Sequence, residues 1–512
     1  MNYFDLYSSY PDETITAAWD SQVREAAEVP WFAEILRGRG AELFPRFAVC
    51  YAELRALPRN ARRTLQRETA RSRDLLTIYS EWHQLGGWRA LQHKLAHSLA
   101  GAALLLALAQ GVATAATITV TTNNPNIISD GQCSLIEAIV NANNDAATFP
   151  DCAAGSGADT IVLPANAKAT LKHAYDNTYG PTGLPLITSP ITIQGNGSTI
   201  VRRGGPRFRL IAVSNSGDLT LQNVTLSGGS SHYDAALYHQ GYGGGALNYG
   251  SLTIEGSTIS GNAAGFGGGV SNRGTLTIQN TTITKNRASD GNFNSGGGVL
   301  NLYGDVTIRD STISNNLAAN KGGGVINRGP LTIQNSTISG NSAVSGGGVS
   351  NTSYYGFSSL IITNSTITGN RADRGGGVYN CSCYFGYGYT GLTLNRSLIS
   401  GNNAGAAPEI SNYGTVTADN FNLFGVNGNA GVTGFVPGLT DIVPARGVKL
   451  KNIVAPLKNN GGSTQTHALA PGSPALDAVS LLDPSCAGTD QRGVARPQGP
   501  GCDIGAFERN VP

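Results

Sequence analysis

Two kinds of side chain in this sequence could act on a polymer: carboxylates and aromatic rings. Between 243 and 403 the acids are Glu255, Asp290, Asp305, Asp310 and Asp373 alone. Hydrolysis of a glycosidic bond needs two carboxyl groups about 5–10 Å apart. Elimination needs carboxylates gathered round a calcium ion, with an Arg or Lys base beside the sugar. The rings are concentrated differently. "TSYYGFSS" (352–359) and "CSCYFGYGYTG" (381–391) place Tyr354, Tyr355, Phe357, Tyr384, Phe385, Tyr387 and Tyr389 in two Gly-spaced insertions. Exposed rings of this kind stack on sugar faces, and Tyr adds a hydroxyl. The same rings could instead pack on one another to close the insertions.

The elements that must carry these residues follow from a repeat. GGG blocks begin at Gly243, Gly267, Gly296, Gly322, Gly346 and Gly375, at spacings of 24, 29, 26, 24 and 29 residues. Such a period means a solenoid. Each unit reads GGGVxN, a turn, LTIxN, then STISGN and a variable loop. Its pieces alternate apolar and polar and are rich in β-branched residues, as half-buried strands are, while their shortness and glycines exclude helix. Leu276, Ile278 and Ile283 are expected inside, and Thr277, Thr282 and Thr284 outside. Three strands per unit make one coil of a parallel β-helix, stacked at about 4.8 Å. Roughly nine or ten coils fit between residues 188 and 425, a rod on the order of 45 Å long. The glycines are expected where a coil turns sharply beside its neighbour's backbone.

Asparagine recurs in the same frame. Asn248, Asn272, Asn301, Asn327, Asn351 and Asn380 each lie five residues after the first Gly of a block. Asn215 and Asn412 read as the same position in degenerate flanking coils. A second rank runs Asn262, Asn286, Asn316, Asn341, Asn370 and Asn402. Stacked Asn side chains satisfy one another and the buried backbone of the bends. On this spacing Asp290 and Asp373 lie three coils apart, roughly 14 Å, and Glu255 and Asp310 two coils apart. No pair is placed for acid–base or metal chemistry, and Asp490, Asp503 and Arg492 read as a structural ion-pair knot. Outward Thr/Ser pairs (258/260, 282/284, 312/314, 337/339, 366/368) would form a flat array, the pattern of an ice-binding face.

Composition divides the chain. All four tryptophans precede residue 90, where Arg is frequent and Gly scarce; 68 glycines and 13% charged residues mark the whole. Net charge +2 points to no nucleic-acid partner. Lys94 and His97 precede the apolar run from Leu99 to Ala109 and then "ATAA", the pattern of a secretory signal over 96–115 cleaved after about Ala115. Residues 1–95 read as a helical leader of unknown role or a mis-assigned start. Beyond the cleavage point lie six cysteines, an even count that suggests pairing in an exported chain. Cys133–Cys152 and Cys486–Cys502 close modest loops, whereas Cys381 and Cys383 would form a strained ring or two thiols.

Three motifs carry a family likeness. "CSLIEAIVNAN" (133–143) resembles the CSLREA motif of bacterial exported β-helix proteins, with Ile136 where Arg is usual. "GSPALDA" (472–478) and "DQRGVARPQGPGCDIGAFE" (490–508) resemble choice-of-anchor Q domains. The GGG-V-x-N units are similar to those of pectin-lyase-like and polymorphic outer-membrane repeat proteins. The resemblance implies a right-handed β-helix exported to the cell surface or beyond, with 116–187 and 426–512 as its caps. It implies no agreed activity.

The sequence thus predicts an all-β, right-handed parallel β-helix acting as an exported scaffold that binds a glycan or another surface polymer. It is read as non-catalytic, monomeric and without cofactor or metal, meeting the membrane only through 96–115. A polysaccharide lyase or hydrolase is the alternative reading, and an ice-binding face a minor one.

Overall fold

The computed structural model describes residues 13–26, most of 44–71, part of 92–109, and 115–510 apart from 232–240, 290–294, 354–355, 383–387, 419 and 484–485. The chain divides into two compact units, Met1–Ala113 and Thr114–Pro512. In the first unit, helices α1 (Glu13–Ala26), α2 (Arg59–Arg71) and α3 (Leu99–Ala109) pack together, α3 touching both others. Trp19 of α1 meets Phe44 and Phe47 edge-on at 5.4 and 5.1 Å. The apolar run forms α3, 11 residues long, with Ala102 to Leu105 buried. Among the described residues no helix is long and apolar enough to cross a membrane.

The second unit is a right-handed parallel β-helix. Its LTI strands form an 11-stranded sheet from Thr117–Thr119 to Thr415–Thr417. The TIS strands form a 10-stranded sheet and the VxN strands a 9-stranded one. Like residues stack in register from coil to coil, as in Leu252, Leu276, Val306, Leu331, Leu360 and Leu392. Leu276, Ile278 and Ile283 are fully buried, and Thr277, Thr282 and Thr284 half-buried on the outer side. Between Pro190 and Thr417 the first sheet has nine rungs. Two more, Thr117–Thr119 and Asp159–Val162, lie in the segment read as a cap. The winding therefore starts earlier than the repeat pattern shows.

Each glycine of a GGG block has its own reason. Gly322 sits at φ +64°, the left-handed region. A Cβ on Gly323 or Gly324 would lie 2.5 or 2.6 Å from the carbonyl oxygens of Gly347 or Gly348 in the next coil. One glycine makes the bend and two let the coils close on each other.

The bends are held by polar columns. Asn248, Asn272, Asn301, Asn327, Asn351 and Asn380 each donate Nδ2 to the next Oδ1, ending on Asn412, at 2.7–3.1 Å. Asn215 does not belong: it is exposed, and Val213 pairs with Asn248 in its place. The strand ends at Val213, and the turn after it is two residues longer than the one after Asn248, which carries Asn215 out of the column. The second rank, Asn262 to Asn402, is bonded the same way at 2.9–3.0 Å. A third column, of hydroxyls, was not read from the sequence. Backbone N–H groups of Ser257, Thr281, Ser311, Ser336 and Ser365 each donate to the next hydroxyl, ending on Ser397.

The segments at the ends differ from simple caps. At the front, the CSLIEA residues build helix α4 (Leu135–Asn144). Ser134 and Glu137 form a reciprocal capping box there, and Glu137 also accepts from Ile128 N–H at 3.1 Å. Cys133–Cys152 staples its entry. At the far end, Val432–Thr433 adds a rung to the VxN sheet. The chain instead returns to the flank, where Thr464 meets the coil of Asp310 and Ala506 that of Thr366, over the TIS sheet. Thr312 donates to Gln465 O and Thr337 to Gln491 Oε1, both at 2.6 Å. Ser339 meets His467 Nε2 at 2.9 Å, and Ala506 N–H donates to Thr366. This strap buries 312/314, 337/339 and 366/368, leaving 258/260 and 282/284 half-buried. The hydroxyl array is thus an internal docking face, which removes the ice-binding reading. Cys486–Cys502 closes the strap on itself.

Candidate functional site

The ring-bearing insertions open at the corner that follows the first Asn column, between the VxN and LTI sheets. Here two coils lengthen their LTI strands to eight residues, Gly356–Thr363 and Gly388–Asn395, against five in the coil before and three in the coil after. The extension pairs Phe357 with Tyr389 in register. Their Cα rows are thus about 4.8 Å apart. Both rings face solvent, at 68% and 70% exposure. The alternate residues turn inward: Ser358 donates to Asn351 Oδ1 at 2.7 Å, and Thr390 accepts from or donates to Ser382 at 3.0 Å. The column of the corner thereby locks the backbone beneath the rings. Gly391 lies beside Phe357: a Cβ there would touch the Thr415 hydroxyl at 3.6 Å and the Phe357 ring edge at 3.9 Å, both ordinary contacts.

Tyr354, Tyr355, Tyr384, Phe385 and Tyr387, along with Cys383, lie outside the described residues. Cys381 is buried and disulfide-bonded. One coil further, Tyr413 occupies the same corner, 57% exposed, with its ring 6.0 Å from that of Tyr379.

A second set of rings, missed in the sequence, lies on the outer face of the VxN sheet. Residues just before each GGG block stack in one line: Tyr242, Phe266, Ser295, Lys321, Ser345 and Arg374. Tyr242 and Phe266 are stacked at 5.1 Å. The Arg273 guanidinium lies 5.0 Å from the Tyr242 ring and 5.6 Å from that of Tyr249, which in turn stacks on Tyr179 at 4.6 Å. The signal was available: the position before GGG is as regular as the Asn after it, but its residue type varies.

The acids of the C-terminal motif are placed for structure. Asp490 accepts from Arg492 N–H and Nε and from the N–H groups of Val494 and Glu508, at 2.8–3.0 Å. Arg496 pairs with Glu508 at 2.7 Å and donates to Asp503 O and Gly505 O. The C-terminal motif is a buried knot that presents Gln491 to the TIS sheet. Asp310, half-buried beneath the strap, has its carboxyl pushed up by desolvation, against a hydrogen bond from Asn335. Among the described residues no three His, Cys, Asp or Glu side chains gather as a metal site.

No protein-family model matches the chain, and no curated protein does. The likeness to CSLREA and choice-of-anchor Q proteins therefore rests on the quoted motifs alone. Among solved structures the chain is similar to the crystal structure of pectate lyase Pel9A, at 15% identity and a TM-score of 0.40, over 78% of this chain and 98% of that one.

Proposed function

We propose that this chain is an exported β-helix scaffold that holds a glycan on the corner carrying Phe357 and Tyr389. The observation behind this reading is the pair itself: two large rings, mostly in solvent, in direct register on a locked strand pair. Exposed apolar surface of this kind on a soluble face marks an interaction site. A sugar ring laid across adjacent coils meets both faces, and each stacking contact is worth about 0.5–1.5 kcal/mol. Export is supported by the apolar run before Ala115 and by the disulfides beyond it.

The second reading is polysaccharide cleavage, the activity named for pectate lyase Pel9A. That likeness concerns the winding and brings no catalytic residue to this chain. One preparation tests both: a glycan array beside an assay for polysaccharide cleavage with and without calcium. Glycan binding that drops about tenfold in Phe357→Ala/Tyr389→Ala, with unchanged circular dichroism, is the expected result. Binding indifferent to both changes would overturn the corner as the site, and cleavage of any polymer would replace the scaffold reading with the enzyme one.

A further inference from the structure

Asp159 is buried at the start of the winding, 1% exposed, yet only one oxygen of its carboxylate is used. Oδ1 accepts from Ser156 N–H at 2.8 Å and from Ala116 N–H at 3.0 Å. Among the described residues no group bonds to Oδ2. The Ala116 nitrogen has acceptors to spare in turn, since it also lies 3.3 Å from Ser156 O. Strand pairing holds it there: Thr117 stands opposite Thr160, and Thr160 N–H donates to Ala116 O at 2.8 Å. Burial raises the Asp159 carboxyl above its ordinary value, against the N–H groups of Ser156 and Ala116, and Asp145 adds to the rise. A buried carboxyl with one orphaned oxygen beside another acid is a costly arrangement.

We infer that this pocket receives the chain's own amino terminus, the Ala116 α-ammonium released by cleavage after Ala115. The inference rests on the exported reading above, and none of its residues belongs to the Phe357/Tyr389 corner. Ala115 is exposed and Ala116 half-buried, so the bond between them marks the mouth of the pocket. Its hydrolysis takes one water. The oxygen stays on Ala115 as a carboxylate, and the two protons turn the Ala116 N–H into an ammonium. Three donors then stand where one did, beside Ser156 O and both oxygens of the Asp159 carboxylate. The new positive charge meets a buried negative one, and hydrogen bonds between ionised partners are roughly twice as strong as neutral ones. Processing thus tightens the first rungs of the β-helix as well as freeing them.

The test is acylation of the chain recovered from an exporting host, with the N-terminal peptide read by mass spectrometry at a series of pH values. The first residue is expected to be Ala116. In the folded chain the reactivity of its amine should rise with a midpoint above about 8, the ordinary α-amine value, and in urea the midpoint should return to about 8. Pairing with a carboxylate raises that midpoint whereas burial alone lowers it, so its direction separates the two. Asp159→Asn keeps the shape and removes the charge; it should bring the folded midpoint to about 8 or below, with circular dichroism unchanged. Asp145→Asn should leave it raised. Should Asp159→Asn not fold, the folded and urea midpoints of the unaltered chain decide. A folded midpoint at or below about 8 would overturn the inference and leave export standing, as would a rise indifferent to Asp159→Asn or lost in Asp145→Asn alone. An amino terminus at another residue would also overturn the inference alone, and an uncut cytosolic chain would overturn it together with export.

Discussion

Asn327 shows what one residue does in a stacked bend. Its Oδ1 accepts from Asn301 Nδ2 at 2.8 Å, and its own Nδ2 lies 2.9 Å from Asn351 Oδ1 and 2.6 Å from Gly329 O. Leucine is close in size but removes all of these bonds from a fully buried column, leaving Asn301 Nδ2 with Gly304 O and Pro330 O and Asn351 Oδ1 with the Ser358 hydroxyl. Asn327→Leu should cost about 1–3 kcal/mol in denaturant unfolding. Thr332→Leu, half-buried on the outer side of the first sheet, should stay within about 0.5 kcal/mol. Equal losses at the two positions would show that the column carries no special weight. These positions were legible because bend geometry admits one residue type, so identity and spacing repeat together. Asn215 misled for the converse reason. It has the right type, but no GGG block fixes its offset from the strand, and pairing put Val213 in the column. The rings before GGG escaped notice because an outward position tolerates Tyr, Ser, Lys or Arg alike.

At the scale of elements, the columns have direction. Every carboxamide of the second Asn rank donates toward the C-terminal end, so the last of them, Asn402, needs an acceptor that no further Asn of the rank supplies. Glu409 is that acceptor. Its carboxyl takes Asn402 Nδ2 at 2.6 Å, Gly401 N–H at 2.8 Å and Asn402 N–H at 3.3 Å. The hydroxyl column ends in the same manner, Ser397 N–H on Asn422 and Asn422 on Asp441. Burial pushes the Glu409 carboxyl up to about 8, outweighing the three donors. A folded value above the unfolded 4.5 means the native state holds a proton the unfolded chain releases. Its contribution is complete below about 4.5 and is lost as pH rises through about 8. The urea midpoint should therefore fall between pH 5 and pH 9, and Glu409→Gln, which cannot ionise, should flatten that fall. Identical slopes in the two proteins would show that Glu409 does not titrate in this window. The strap was the element that sequence reading misplaced. Its partners, Thr312, Thr337, Ser339 and Thr366, lie 128–154 residues earlier, and no local period reports such a contact.

At the scale of the whole chain, the two units have different chemistry as well as different folds. The division at Ala113 and Thr114 falls two residues from the processing point expected after Ala115. The helical unit holds Cys50 buried, whereas the β-helix holds its described cysteines in disulfides. Each local bridge closes a loop, of separation 19 at Cys133–Cys152 and 16 at Cys486–Cys502. Loops of that size contribute about 3 kcal/mol each by restricting the unfolded chain. One secures the α4 entry at the front of the winding and the other the strap on its flank, the two places where stacking alone does not hold the chain. Such bridges persist only where thiols are not kept reduced. The expected product in an exporting cell is therefore a chain beginning near Ala116, with these four cysteines unreactive to alkylation until reduced. N-terminal sequencing and mass mapping of alkylated peptides check both halves of this at once. Reduction should lower the thermal midpoint and loosen α4 and the strap before the stacked coils, visible as early proteolysis at the two ends. Intact protein recovered from the cytosol with residues 1–95 attached and every thiol reactive would show that the helical unit is not a leader and that the bridges do not form in the cell.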